Sequence, residues 1–303
     1  MGQIRRGAAI VVVLAFALGA AMAVAIPRSH EPGLETVRSF AFAIGSGNLD
    51  GGPAAVGERF GAYDLVVVDG EEANRSEMRA ISASGAIVLA YLSVGTIEPY
   101  RSWYPLLRPY RLPTKFEEFG EWYARVNAAG FRRRIVRRIA PRILGKGFDG
   151  LFLDNTDMIE THRRQRWGMK SLVRALAARL HRGRGRLLFT QNGEGVIGPM
   201  LRYYDGWNRE DVTSTYIFDT QRYKLVPEAE RERALTALRR FREQHGLLTL
   251  ATDYVAAGDS PTAEAAVRNA CSVGAVPFVS NIGLTRVPSQ PPTCPAGRSP
   301  ASP

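Results

Sequence analysis

Between residues 40 and 281 the chain alternates short apolar runs with longer amphipathic stretches. Eight runs stand out, at residues 40–44, 65–69, 87–93, 148–154, 187–192, 203–208, 247–253 and 276–281. Each is too short for a core helix and is bounded by polar or turn-forming residues, the pattern of a strand covered on both faces. Helical patterns fit between most of them: residues 171–180 place Leu172, Val173, Leu176 and Leu180 on one face, and residues 227–245 are a longer example. Strand and helix in alternation is the rhythm of a parallel sheet. Eight such units over about 250 residues predict a single (β/α)8 TIM barrel over residues 38–287. The link at residues 96–120, rich in Pro, Tyr and Trp, breaks the rhythm. It reads either as an aromatic insertion overhanging the barrel mouth or as a surface loop packed by its own aromatics.

The ends of the chain read differently. Arg5 and Arg6 precede an unbroken stretch of apolar and small residues from 8 to 26, after which Pro27, Arg28, Ser29 and His30 restore polarity. Small-x-small sites at Ala21-Met22-Ala23 and Ala23-Val24-Ala25 fit cleavage, and the stretch is also long enough to span a bilayer uncut. Residues 1–30 are therefore expected to be a signal peptide or an N-terminal membrane anchor, with the product secreted or tethered to the outer face of the membrane. Residues 288–303 hold too much Pro, Ser and Gly to fold alone and are expected to be disordered. The chain has two cysteines. Cys271 lies in the last helical pattern and Cys294 in the tail, so an exported chain could staple one to the other; two free thiols are the alternative.

Composition, at 45% hydrophobic and 23% charged, is that of a globular protein, but the net charge of +11 raises nucleic acid or an anionic surface as partners. The placement of the arginines argues against nucleic acid. In residues 131–139 they surround an apolar stripe at Phe131, Ile135, Val136 and Ile139, which is a solvated helix face, and no stacking aromatics interleave with it. No nucleic-acid partner is expected, and the chain is expected to act as a monomer.

Candidate chemistry concentrates at run ends. The fourth run, Gly147-Phe148-Asp149-Gly150-Leu151-Phe152-Leu153-Asp154, stops abruptly at a carboxylate, with Asp157 three positions on. Period-2 alternation sends Leu151 and Leu153 outward against helices and keeps Gly150, Phe152 and Asp154 inside. In parallel α/β folds ligands meet the carboxyl ends of strands, which sites Asp154 for catalysis. Asp157 reads better as a cap on a helix beginning near Met158. The four histidines are scattered, no Cys or His pair has ligand spacing, and no phosphate loop or Gly-x-Ser-x-Gly elbow is present. Neither metal nor cofactor is expected. What remains is a ring of carboxylates, amides and hydroxyls at strand ends: Asp69, Tyr91, Ser93, Glu98, Asp154, Asp157, Asn192, Glu210, Asp253 and Tyr254. Such a ring suits a sugar, because glycoside cleavage needs one carboxylate kept ionised and another that delivers a proton.

Tyr91-Leu92-Ser93-Val94-Gly95 with Glu98, followed by the fourth-run motif with Asp157, resembles the endo-α-1,4-polygalactosaminidase family, glycoside hydrolase family 114, and its barrel relatives. The resemblance runs over most of residues 38–287. It implies a (β/α)8 barrel and a retaining mechanism on an amino-sugar polymer of the galactosaminogalactan type, with Asp154 as nucleophile and Glu210 as acid/base. These acids would end the fourth and sixth strands and face each other across part of the barrel mouth. Asp69, Tyr91, Ser93, Glu98, Asp157, Asn192, Asp253 and Tyr254 are then expected to hold the polysaccharide. Glu194 competes as the second carboxylate, and Asp69 and Asp253 could equally cap the helices after them. The first strand departs from the family: Phe40-Ala41-Phe42-Ala43-Ile44 stands where members carry a Trp and a Tyr-Gln pair. A barrel that binds envelope polysaccharide without cutting it is the alternative reading. Either way the acids should make a negative cleft on a positive body.

Overall fold

The computed structural model describes residues 33–182 and 185–295. Eight strands lie side by side in chain order: β1 (Phe40–Ala43), β2 (Leu65–Asp69), β3 (Ile87–Ser93), β4 (Gly150–Asp154), β5 (Leu187–Gln191), β6 (Gly206–Glu210), β7 (Leu248–Tyr254) and β8 (Val276–Ser280). Every neighbouring pair is parallel. The sheet curls until its outer strands meet, with the Phe40 ring 5.5 Å from that of Phe278. Just beyond β1 the Asn48 side chain donates to the carbonyl of Leu284 at 2.7 Å. Helices such as Gly52–Phe60, Arg166–Leu180, Glu228–His245 and Ser260–Ser272 fill the connections. The result is a nearly closed, single (β/α)8 barrel.

All eight apolar runs fall on barrel strands, with shifted ends. The sixth shift matters. β6 covers residues 206–210 and not 203–208, because the chain through Tyr203 winds into the 3-10 turn Gly198–Tyr203. Asp205 then accepts from the amide of Leu188 at 2.7 Å, which sets the start of β6 against β5 and carries Glu210 inside the strand.

Alternation fills the barrel interior as expected. Phe42 of β1 meets Phe152 of β4 at 5.0 Å and Tyr91 of β3 at 6.3 Å. Each fully buried aromatic of this kind stabilises by roughly 1.5–3 kcal/mol. Gly150 is required at the base of β4, since a Cβ there would stand 2.2 Å from the carbonyl oxygen of Leu187.

Two insertions rise from the carboxyl end of the barrel. Thr96–Ile97, Arg111–Phe116 and Glu121–Ala124 form a three-stranded antiparallel sheet after β3, so the aromatic link is a structured insertion. A second hairpin, Ser214–Ile217 with Arg222–Leu225, follows β6.

Cys271 and Cys294 are joined as a disulfide. The segment expected to be disordered from residue 288 is described to residue 295 and runs without regular secondary structure, with Tyr63 Oη donating to the carbonyl of Pro288 at 2.6 Å. The expected signal or anchor at residues 1–30 lies outside the described residues. Among the described residues no helix is long and apolar enough to cross a membrane.

Candidate active site

Asp154 ends β4 on the inner face, and three side chains plus one backbone amide close on its carboxylate. Tyr91 Oη donates to Oδ2 at 2.6 Å from β3, and Gln191 Nε2 donates to Oδ1 at 2.6 Å from β5. Asn155 adds its side-chain amide at 3.1 Å and its backbone N–H at 2.6 Å. Asn155 reaches back in this way because it takes a left-handed conformation, φ 57°, which asparagine tolerates better than most residues. Gly95 is what lets that turn sit where it does: a Cβ at position 95 would stand 1.8 Å from the carbonyl oxygen of Asn155. Burial pushes the Asp154 carboxyl up, and the bonds from Tyr91, Gln191 and the Asn155 amide pull it down. Burial is the larger effect and leaves the carboxyl above its ordinary range, while the donors on both oxygens hold that rise down.

Glu210 ends β6 with fewer donors. Tyr254 Oη donates to Oε1 and Asn192 Nδ2 to Oε2, the latter at 2.7 Å. Burial, then the charges of Asp154 and Asp211, push its pKa up to about 8, against the bonds from Tyr254 and Asn192. Near neutral pH this environment keeps Glu210 protonated, while Asp154 has the denser shell of donors. The two acids stand at the ends of strands that flank β5, which pairs with both. At about 4.8 Å per strand, their backbones lie about 10 Å apart, and both side chains lean inward.

A sequence model of glycoside-hydrolase family GH114 matches residues 25–287. The chain belongs to that family. It is a glycoside hydrolase built as a TIM barrel. The glycoside hydrolase domain of PelA from Pseudomonas aeruginosa is similar in structure, with a TM-score of 0.69 at 24% identity, covering 82% of this chain and 96% of that one. So is Aspergillus fumigatus Ega3, solved in complex with galactosamine, with a TM-score of 0.60 at 16% identity over 81% of this chain and 90% of that one. An uncharacterized protein of Deinococcus radiodurans is 26% identical over 240 residues, 74% of this chain and 75% of the relative.

The GH114 barrel places the other expected site residues in three different settings. Tyr91, Asn192 and Tyr254 each hold one of the two acids directly. Asp157 sits beside them, in the 3-10 turn Thr156–Ile159 and not as the cap of a longer helix. Burial, then the charges of Asp154 and Glu160, push its carboxyl up to about 7.

Ser93 stands one layer back, bonded to Thr96 at 2.6 Å and to the Asn155 amide at 3.1 Å.

Asp69, Glu98 and Asp253 are occupied elsewhere. Arg101 lies between the first two, reaching Asp69 at 2.6 Å and Glu98 with two nitrogens at 2.7 and 2.9 Å, all three side chains being buried. Asp69 also accepts the amides of Glu71 and Glu72 in the turn after β2; it does not cap the next helix, Arg75–Ser82, whose cap is Asn74. Asp253 accepts the amides of Thr213 and Ser214 at 2.6 and 2.8 Å and so pins the root of the second hairpin. Glu194, the rival second acid, pairs with Arg209 at 3.3 Å and stays outside the buried pair. Trp207, although on the same strand as Glu210, does not cover it: its ring points outward onto Phe241 at 4.6 Å, as alternation requires for a residue three before an inward one.

Four side chains of the site carry no clear signal in the sequence. Gln191 lies at the end of an apolar run; its oxygen accepts from Asn208 at 3.3 Å, and Asn208 in turn accepts from Thr252 at 3.0 Å, which fixes the amide with its nitrogen toward Asp154. Asn155 is the third. Glu121 is the fourth, brought in by the first insertion: it accepts from Thr96 at 2.6 Å, and burial pushes it up to about 7. Two arginines beside the acids are paired, Arg101 with Asp69 and Arg209 with Glu194, while the helix Arg166–Leu180 outside carries no Asp or Glu.

Proposed function

We propose that this chain is a retaining hydrolase of an amino-sugar polymer of the galactosaminogalactan type, with Asp154 as nucleophile and Glu210 as acid/base. The observation that carries the proposal is the unequal environment of the two acids: four donors converge on Asp154, whereas Glu210 is raised to about 8. In the first step Asp154 attacks the anomeric carbon as Glu210 gives its proton to the leaving oxygen, producing a glycosyl-enzyme ester. In the second, Glu210 takes a proton from water, the water oxygen bonds to the anomeric carbon, and Asp154 leaves as the carboxylate. The Tyr91 and Gln191 bonds hold the nucleophile in the orientation it needs in both steps.

The choice of polymer is supported by charge and by the neighbours. Asp157, Glu121 and Glu160 surround the pair with acids suited to the ammonium groups of deacetylated hexosamine, and one structural neighbour was solved with galactosamine. Residues 1–30 support action outside the cytoplasm, because a basic start followed by an apolar stretch is the pattern of an export signal. Incubation with purified, partly deacetylated galactosaminogalactan tests the proposal. New reducing ends should appear with the wild type and be absent with Asp154→Ala; retention of the polymer by the wild type without cleavage would contradict this choice of substrate.

A further inference from the structure

Six aromatic rings form a continuous row over the barrel mouth, and none takes part in the bond-breaking chemistry. The row begins at Tyr123 of the first insertion, close enough to the site for the charges of Asp157 and Glu121 to act on its phenol. It passes to Phe116 at 5.9 Å and to Phe119 at 5.1 Å. There it crosses to the second hairpin, reaching Phe218 at 5.3 Å, Tyr216 at 5.2 Å and Tyr223 at 5.0 Å. The Tyr223 hydroxyl accepts the amide of Ile282, just beyond β8, at 3.2 Å. The row thus starts near the end of β4 and finishes near the end of β8, arching over the strands that carry both acids.

Packing alone explains the ends of the arch but not its crown. Phe119 and Phe218 are 51% and 37% exposed, and their edge-on contact joins two insertions that are far apart in sequence. Rings that served only to hold hairpins would be expected to bury their faces. A phenylalanine also offers no hydrogen bond, so its use at this position is the apolar face itself. Contiguous exposed apolar surface continuous with a cleft marks a binding surface. A hexose ring, with its C–H face on one side and its hydroxyls around the edge, fits such a surface. Glu117 and Glu118 are exposed immediately before Phe119, which adds negative charge next to the rings.

We propose that the crown of this arch is a chain-binding subsite, where Phe119 and Phe218 stack against amino-sugar units outside the cleaved bond and Glu117 and Glu118 meet their ammonium groups. The inference rests on the polysaccharide hydrolase reading and extends it to recognition of the chain away from the acids.

The test uses the full chain in two backgrounds. With Asp154→Asn, binding of partly deacetylated galactosaminogalactan is measured by affinity electrophoresis; adding Phe119→Ala and Phe218→Ala should weaken it about tenfold, and Phe119→Trp should preserve it. In the active background the same double change should raise KM for the polymer about tenfold, leave kcat in place, and leave cleavage of short oligosaccharides unchanged. Unaltered polymer binding would overturn the subsite, as would an equal loss on short oligosaccharides, which would show that the rings only hold the fold. Ring-dependent binding with no cleavage by the wild type would instead retain the subsite and remove this polymer as the substrate that is cut.

Discussion

Gln191 and Asn192 are consecutive residues, yet they hold different carboxylates: Gln191 Nε2 donates to Asp154 at 2.6 Å and Asn192 Nδ2 to Glu210 at 2.7 Å. The chain can do this because Asn192 leaves β5 in a left-handed conformation, φ 54°, which turns its side chain toward β6 while Gln191 still faces β4. One strand end therefore positions both acids.

Gln191→Leu removes a donor from an ionised partner, an interaction worth about 1.5–3 kcal/mol. The Asp154 carboxyl then rises further, so the acid limb of the pH–activity profile is expected to move up by about one unit or more, with kcat falling about tenfold or more. A pH profile of kcat and kcat/KM checks both. An unmoved acid limb would remove Gln191 from its role on the nucleophile.

The alkaline limb should respond to Glu210 with opposite signs in two variants. Tyr254 bonds the ionised form and lowers the pKa of about 8, whereas Asp211 raises it by charge. Tyr254→Phe is therefore expected to move the alkaline limb to higher pH, and Asp211→Asn to lower pH. Shifts in the same direction, read from kcat/KM profiles, would contradict Glu210 as the proton donor.

Stability should carry the same signature. Glu210, Asp157 and Glu121 are raised to about 8, 7 and 7 from ordinary values of 4.5, 3.8 and 4.5, so the folded chain binds more protons than the unfolded one between those limits. By linkage the stabilisation is fully present below the unfolded pKa values and is lost as pH rises through the folded ones. Urea midpoints should fall between pH 5 and pH 8. The fall should shrink in Glu210→Gln, and an equal fall in that variant would contradict the assignment.

Gly95→Ala tests the support of the nucleophile. The added methyl would overlap the Asn155 carbonyl, at 1.8 Å, and overpacking of this kind typically costs about 1–3 kcal/mol. A urea midpoint reduced by that amount, with turnover lost more than stability explains, is the expected outcome, since Asn155 must move and Asp154 with it.

Seven of the eight barrel strands are legible because each holds an apolar run closed by turn residues, and Asp154 is legible because it interrupts such a run at its end; β6, Gly206-Trp207-Asn208-Arg209-Glu210, is mostly polar, and its bounds come only from the structure. Pairings between distant residues are not legible. Nothing near Asp69 or Glu98 signals that Arg101 folds between them and occupies both. Gln191 looks like the frayed end of a strand until Asn208, on the next strand, orients its amide. Glu121 joins the site through the antiparallel pairing of the first insertion, where Phe116 and Glu121 stand opposite each other. The second hairpin is not evident because its strands, Ser214–Ile217 and Arg222–Leu225, are only four residues each and too short for the alternation Arg222-Tyr223-Lys224-Leu225 to stand out.

The roles of the two acids are tested most directly by Glu210→Ala with added azide. On the polymer, which needs the proton, turnover should fall about 10²–10⁴-fold, while formation of the glycosyl-enzyme from an activated aryl glycoside should be spared. Azide is small enough to enter where Glu210 stood and attack the glycosyl-enzyme on Asp154. A glycosyl azide with the substrate's own anomeric configuration is the expected product, and an azide of inverted configuration would contradict Asp154 as nucleophile and Glu210 as its partner.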